Sequence, residues 1–187
     1  MSATLEILAF AGSLRRASLN RRLVRTATEV APAGMRIETF DLVGIPLFDQ
    51  DVEDEGDPDT VRRFKAAIDG SDALFIASPE YNWGIPGVLK NAVDWASRPA
   101  RESVLAGKPV AIAGATPGRG GTIHAQDQLR QVLRATGANV LPRPDLLLAG
   151  ANDLFDDQRL VDEGSRRRLE RLLAALAEWT RTLACRD

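Results

Sequence analysis

LEILAFAGSLRRASLN, residues 5–20, decides the fold. Apart from Glu6 its first seven residues are apolar without alternation, the pattern of a strand covered on both faces. A glycine and a polar loop follow, and from there Leu19, Leu23, Val24 and Ala27 recur at helical spacing. A buried strand feeding a helix through a short loop is the opening of a parallel strand-helix-strand unit.

The same alternation continues along the chain. Further apolar runs are DALFIASP (residues 72–79), KPVAIAGA (108–115) and a weaker pair, ANVL and DLLLAG, between 138 and 150. Between them Val61, Phe64, Lys65 and Ile68 repeat the helical spacing after Pro58. Residues 122–136 carry Ile123, Leu129, Val132 and Leu133 and stop at Gly137, a natural helix terminator. At the end Leu169, Leu172, Leu173, Leu176 and Leu183 form one stripe, with Arg166, Arg167, Arg168, Arg171 and Glu178 mainly off it, which predicts an amphipathic closing helix. The run MRIETF (35–40) alternates polar and apolar, as a sheet edge does. Together these predict an α/β fold, a three-layer αβα sandwich around a parallel sheet of five strands, the size of a flavodoxin-like sheet. Residues 46–58 are acidic without an apolar period and are expected to be a surface loop whose charges are solvated rather than metal-binding. No repeat, low-complexity tract or linker interrupts the chain, so residues 1–187 are expected to form a single domain.

Composition narrows the function classes. With 24 Lys+Arg against 26 Asp+Glu and a pI near 5.6, the chain has no overall field to attract nucleic acid or an anionic membrane. Its single cysteine, Cys185, can form neither an internal disulfide nor a multi-thiolate metal site, which suits a reducing cytoplasm. The basic residues near the N-terminus follow the apolar run instead of preceding it, and that run is strand-sized. It therefore reads as neither a signal peptide nor a membrane span.

In an open parallel sheet, ligands bind beyond the carboxyl ends of the strands where strand order reverses, which directs attention to the loops after the first, third and fourth strands. The first, GSLRRASLN (12–20), offers the Ser13 and Ser18 hydroxyls, the Asn20 amide, the Arg15 guanidinium and the N–H groups of a helix start, with no acid among them. Those donors suit a phosphate; the alternative is that Ser18 and Asn20 merely cap the helix and Arg15 lies on the surface. The loop is neither a Walker motif nor a dinucleotide fingerprint, since the required glycines and lysine are absent. The second, SPEYNWGIPGVLKNAVDW (78–95), is stiffened by two prolines and two glycines, with Pro86 suited to open the next helix, and groups Glu80, the chain's one tyrosine Tyr81, Asn82 and Trp83. It suits a flat heteroaromatic ligand, or else forms a packed aromatic corner. The third, GATPGRGGT (114–122), brings Thr116, Gly118, Arg119 and Gly120 to a loop whose glycines permit close backbone approach.

Catalytic side chains are not evident. One histidine, His124, falls at a helix start; no cluster has metal-ligand spacing, and no GxSxG elbow or serine-histidine-acid set appears. A site without an obvious acid, base or nucleophile points to a bound cofactor as the source of the chemistry.

These residues resemble the NADPH-dependent FMN reductase family, flavodoxin-like flavoenzymes that include quinone, chromate and azo-compound reductases. The resemblance rests on GSLRRASLN (12–20), SPEYNWGIPGVLKNAVDWASR (78–98) and the GRGG loop with HAQDQLRQVLRATGANV (118–140), and runs through nearly the whole chain in order. It implies that Ser13, Arg15, Ser18 and Asn20 hold the FMN phosphate. Pro79, Glu80, Tyr81 and Asn82 would line the isoalloxazine edge, mostly through backbone groups, and Thr116, Gly118, Arg119 and Gly120 would close the other side.

It also implies a homodimer or homotetramer, with the stretch 88–95 and the helix after the GRGG loop as interface candidates. Relatives often carry an arginine where His124 stands, which leaves any subunit contact at that position open. The implied reaction passes a hydride from NADPH or NADH to the flavin, then two electrons to a small-molecule acceptor such as a quinone, azo compound, metal oxyanion or flavin. No side-chain base is required, and Arg15, Arg16 or Arg119 are candidates for the 2′-phosphate of NADPH. Two other readings are a flavodoxin-type electron carrier and a reductase that supplies free reduced FMN to a monooxygenase.

Overall fold

A computed structural model describes residues 4–185. Its strands are β1 (Leu5–Ala11), β2 (Met35–Phe40), β3 (Ala73–Ala77), β4 (Pro109–Ala115), β5 (Asn139–Val140) and β6 (Leu146–Leu148), all parallel. Around them lie α1 (Leu19–Glu29), α2 (Gln50–Glu55), α3 (Asp59–Asp69), α4 (Gly87–Ala96), α5 (Ile123–Ala135) and α6 (Glu163–Ala184). The sheet order is β2-β1-β3-β4-β5, with β6 also beside β4. The expected fifth strand is thus two short ones laid end to end: β5 pairs Pro109 and Val110, and β6 pairs Ala113, Gly114 and Ala115. Between them stand Pro142 and Pro144, which cannot donate to a ladder, so the strand breaks there.

Every residue of β3 and β4 is buried, as their unbroken apolar runs require. Alternate residues of β1 serve opposite layers. Ile7 and Ala9 face Leu23, Val24 and Ala27 of α1 and Leu169, Leu172, Leu173 and Leu176 of α6. Leu8 and Phe10 face Phe64 and Ile68 of α3, Leu89 of α4 and Leu129 and Leu133 of α5. Each fully buried Leu or Phe contributes about 1.5–3 kcal/mol, so the strand-helix periodicity is also the main source of stability. β2 sits at the sheet edge with an alternating burial pattern.

Within the acidic stretch 46–58, where a loop is expected, α2 forms. Asp49 caps it by accepting from the Asp51 N–H at 3.0 Å, and Asp51 and Glu53 lie in the first turn, where the helix dipole favours negative charge; Gly56 at φ 114° ends it. Its charges are only partly solvated, because Glu53 pairs with Arg98 at 2.9 Å and Asp57 with Lys65 at 2.6 Å. Pro86 stands one residue ahead of α4, as its cap. Asp162 caps α6, its carboxylate accepting from the Ser165 N–H at 2.7 Å; that bond holds its pKa below the usual carboxylate range. Among the described residues no helix is long and apolar enough to cross a membrane.

Because every strand runs the same way, the carboxyl ends of β1, β3, β4 and β6 open onto one edge of the sheet, and strand order reverses between β1 and β3.

Candidate functional site

The loops at that edge enclose a cavity of about 330 Å³, within the range of small-ligand sites. Of the expected residues, Ser13, Arg15, Ser18, Asn20, Pro79, Glu80, Tyr81 and Thr116 line it together. Asn82, Gly118, Arg119 and Gly120 do not.

The first wall is the β1–α1 turn. Ser18 caps α1 by accepting from the Arg21 N–H at 3.4 Å, and its own N–H bonds the Arg15 carbonyl at 3.1 Å. The next N–H groups, of Leu19 and Asn20, are the orphan donors of a helix start. Ser13 is buried and accepts from the Arg15 N–H at 3.3 Å, leaving its hydroxyl proton to donate elsewhere. The Arg15 side chain is exposed and takes part in no ion pair among the described residues. The turn packs closely on α4, since a Cβ on Gly12 would meet Leu89 Cδ2 at 2.9 Å.

Asn20 is 2% exposed, and its carboxamide grips the last residue of β4. Nδ2 donates to the Ala115 carbonyl and Oδ1 accepts from the Ala115 N–H, both at 2.9 Å. This ties the first loop to the third across the mouth of the sheet, and half of the amide's bonding capacity is used in doing so.

Glu80 is the one carboxylate in the lining, and both its oxygens are engaged by α5. Oε2 accepts from the Ala125 N–H at 3.0 Å and Oε1 lies 3.3 Å from His124 Nδ1. It supplies the cap that α5 lacks, because Thr122 at its start is left-handed (φ 69°) and its hydroxyl instead accepts from Gln126. Tyr81 contributes a half-exposed ring.

The third loop leaves β4 at a very tight point. A Cβ on Gly114 would stand 1.9 Å from Thr122 Oγ1 and 2.6 Å from the Ser78 carbonyl, so no other residue fits. Of the glycines beyond it, Gly121 needs the left-handed backbone (φ 60°), while a Cβ on Gly120 would meet nothing within 4 Å. Thr116 accepts from the Gly118 N–H at 3.2 Å, and its backbone pairs with Leu148 and Ala151 at 2.9 Å each.

Those last contacts bring in a fourth loop. After β6 a 3-10 turn (Ala151–Leu154) places Asn152 in the cavity lining, beside Pro117 and Arg22. Sequence reasoning missed Asn152, although a loop following the last strand also opens at the carboxyl edge.

The donor set is therefore serine hydroxyls, an asparagine amide, arginine and a helix start, with no carboxylate free to repel an anion. That chemistry fits a phosphate at the α1 end, and proline, tyrosine and backbone groups on the opposite wall fit a flat ring. Among the described residues no group of three His, Cys, Asp or Glu could hold a metal ion.

Residues 5–153 match the family profile of NADPH-dependent FMN reductase. An NAD(P)H-dependent FMN reductase of Pseudomonas aeruginosa is 45% identical, over 98% of this chain and 99% of its own. A 2-hydroxy-1,4-benzoquinone reductase of a Burkholderia species is 39% identical over 95% and 97%. Among solved structures FerB, a flavoenzyme NAD(P)H:(acceptor) oxidoreductase from Paracoccus denitrificans, superposes with a TM-score of 0.87 at 30% identity, covering 95% of this chain and 98% of that one.

Proposed function

This chain belongs to the NADPH-dependent FMN reductase family, an oxidoreductase using FMN and NAD(P)H, and from that membership we propose that the cavity beyond β1, β3 and β4 is where its FMN sits. The observation that carries the assignment is the lining: Ser13, Arg15, Ser18 and Asn20 at one end, Pro79, Glu80 and Tyr81 at the other, and Thr116 between. Asn82, Gly118, Arg119 and Gly120 stand outside the lining, so their part is to flank a ring that reaches past it.

When bound, FMN would supply the two-electron redox chemistry between NAD(P)H and the acceptor. The chain fixes distance and plane. The α1 N–H groups, the Ser13 and Ser18 hydroxyls and Arg15 hold the phosphate, and each charge-assisted bond contributes about 1.5–3 kcal/mol. Asn20 keeps the β4 end in register with the phosphate loop, so anchoring one end of the cofactor sets the place of the other. Both Glu80 oxygens are engaged at the start of α5, so Glu80 is not the proton donor to a reduced acceptor.

The acceptor is a quinone, as the names of the relatives indicate for those proteins; azo compounds and metal oxyanions can enter the same open site. Exposed Arg15, Arg16 and Arg119 are the cations available to a 2′-phosphate. The protein acts as one domain in the cytoplasm, as a homodimer or homotetramer. Most of the stretch 88–95 is buried within the chain, so Val88, Lys90 and Asp94 are what α4 offers an interface, beside Ile123, Asp127, Gln131 and Arg134 on α5.

Replacing Arg15 by alanine tests the site. FMN affinity, read by flavin fluorescence, should fall roughly ten- to hundredfold with folding unchanged. Unaltered affinity would remove Arg15, and with it the phosphate end of the assignment.

A further inference from the structure

Residues 79–86 are fastened to α5 in a way that cofactor binding alone does not explain. Glu80 bonds the Ala125 N–H at 3.0 Å and lies 3.3 Å from His124 Nδ1, while the Ile85 N–H donates to Gln128 Oε1 at 2.7 Å. The His124 imidazole stacks on the Trp83 indole with centroids 4.7 Å apart and planes 4° from parallel. Between these points the chain turns sharply: Tyr81 and Gly84 exchange two backbone bonds of 3.0 Å, and Asn82 and Trp83 both take left-handed backbone at φ 50° and 64°. That conformation is costly for a bulky aromatic residue. It holds the indole outward, 76% exposed, against the imidazole. Without the stack, relaxation of the strained pair would carry Tyr81 with it, and Tyr81 lines the cavity.

We propose that Glu80, His124 and Trp83 form a clip that holds residues 79–84 against α5 and thereby positions one wall of the cofactor cavity, with His124 as a positioning residue. The inference rests on the FMN assignment above. His124 suits the task in either protonation state, since a neutral ring stacks on indole, and a charged ring gains a cation–π contact with Trp83 and an ion pair with Glu80. Among the described residues Glu80 is the one charged group within ion-pair distance of the ring; Asp127 follows one turn along α5.

Two measurements on the wild type, H124Q, H124R and W83F test the clip. The first needs no flavin. The His124 ring covers one face of the otherwise exposed Trp83 indole, so at fixed pH acrylamide should quench the tryptophan emission of H124Q more strongly than that of the wild type. In a W83F background the H124Q change should make no difference to quenching. Equal quenching of wild type and H124Q, or the same increase in the W83F background, would overturn the proposal. The second is FMN affinity. H124Q should bind about three- to tenfold more weakly, and H124R should return to within about twofold of the wild type, because a guanidinium also stacks on indole and pairs with a carboxylate. Equal affinity in H124Q, or no recovery in H124R, would refute the coupling to the cavity. A wild type that binds no FMN would sink the cavity assignment instead, while the stronger quenching in H124Q would still establish the clip.

Discussion

Asn20→Ala should be the most damaging single truncation at the carboxyl edge of the sheet. Asn20 satisfies both backbone groups of Ala115 across 95 residues of sequence, in bonds of 2.9 Å, where each residue is 2% exposed. Removing the carboxamide orphans a buried N–H and a buried carbonyl. Each orphan costs about 1–3 kcal/mol, and water entering the small void would recover part of the sum, leaving a loss of roughly 2–4 kcal/mol. With a urea m-value of about 2–3 kcal/mol/M for a domain of this size, the unfolding midpoint should fall by about 1 M. Asn20→Asp is the informative companion. Its carboxylate can still accept from the Ala115 N–H, but it sets a negative oxygen against the Ala115 carbonyl and adds charge beside the end of the cavity proposed for the phosphate. N20D should therefore lose stability on the scale of N20A and lose more FMN affinity than N20A does. Urea unfolding followed by circular dichroism gives the first quantity and flavin fluorescence the second. A midpoint within experimental error of wild type in N20A, or wild-type FMN affinity in N20D, would refute the reasoning.

Three other perturbations probe the supports of the site. Gly114→Ala puts a Cβ 1.9 Å from Thr122 Oγ1 and 2.6 Å from the Ser78 carbonyl, so overpacking should cost about 1–3 kcal/mol and lower the melting temperature; an unshifted melting curve would contradict the close approach. Glu80→Ala removes the acceptor at the start of α5 and should cost about 1 kcal/mol, the usual value of a lost helix cap, whereas a stability equal to wild type would deny Glu80 that role. Asp162→Ala removes a carboxylate whose pKa is lowered by its bond from the Ser165 N–H. A depressed pKa means the stabilisation is present above the unfolded-state value and disappears as pH falls through the folded one. The mutant should thus be less stable at neutral pH and converge on wild type in acid; a gap that persists through the acid range would contradict the linkage.

The parts of the fold that were legible are those where one physical rule governs. Unbroken apolar runs at 7–11, 73–77 and 109–115 could only be covered on both faces, and they became the body of β1, β3 and β4 at the centre of the sheet. α2 was not legible because its six residues bury nothing, and a helix held by one cap and its first-turn acids leaves no apolar period to read. The split of the last strand was half visible, as two weak runs, but which stretch of β4 each would pair with depends on tertiary pairing.

At the site, residue types identified the loops but not which atoms remain free. Asn20 and Glu80 read as ligand-facing polar groups, and the structure commits much of each to backbone partners 95 and 45 residues away. Asn152 carried no local signal, and only the packing of the 3-10 turn against Thr116 brings it in. Within the third loop Gly114 and Gly121 bear the steric demand, while Gly120 faces open space, a distinction that glycine content alone does not make.

The central claim is that this chain carries FMN in the cavity beyond β1, β3 and β4 and moves electrons through it from NAD(P)H to a small acceptor. Anaerobic titration of the purified, FMN-equilibrated and desalted protein tests it most directly. One equivalent of NADPH or NADH should bleach the yellow absorbance of a protein holding one FMN per chain, and one equivalent of benzoquinone should restore it without a partner protein. A carrier of the flavodoxin type would not be reduced by the nicotinamide, and a reductase that only visits free flavin would emerge from desalting without it. A colourless protein, or a yellow one that stays oxidised with both nicotinamides, would contradict the account.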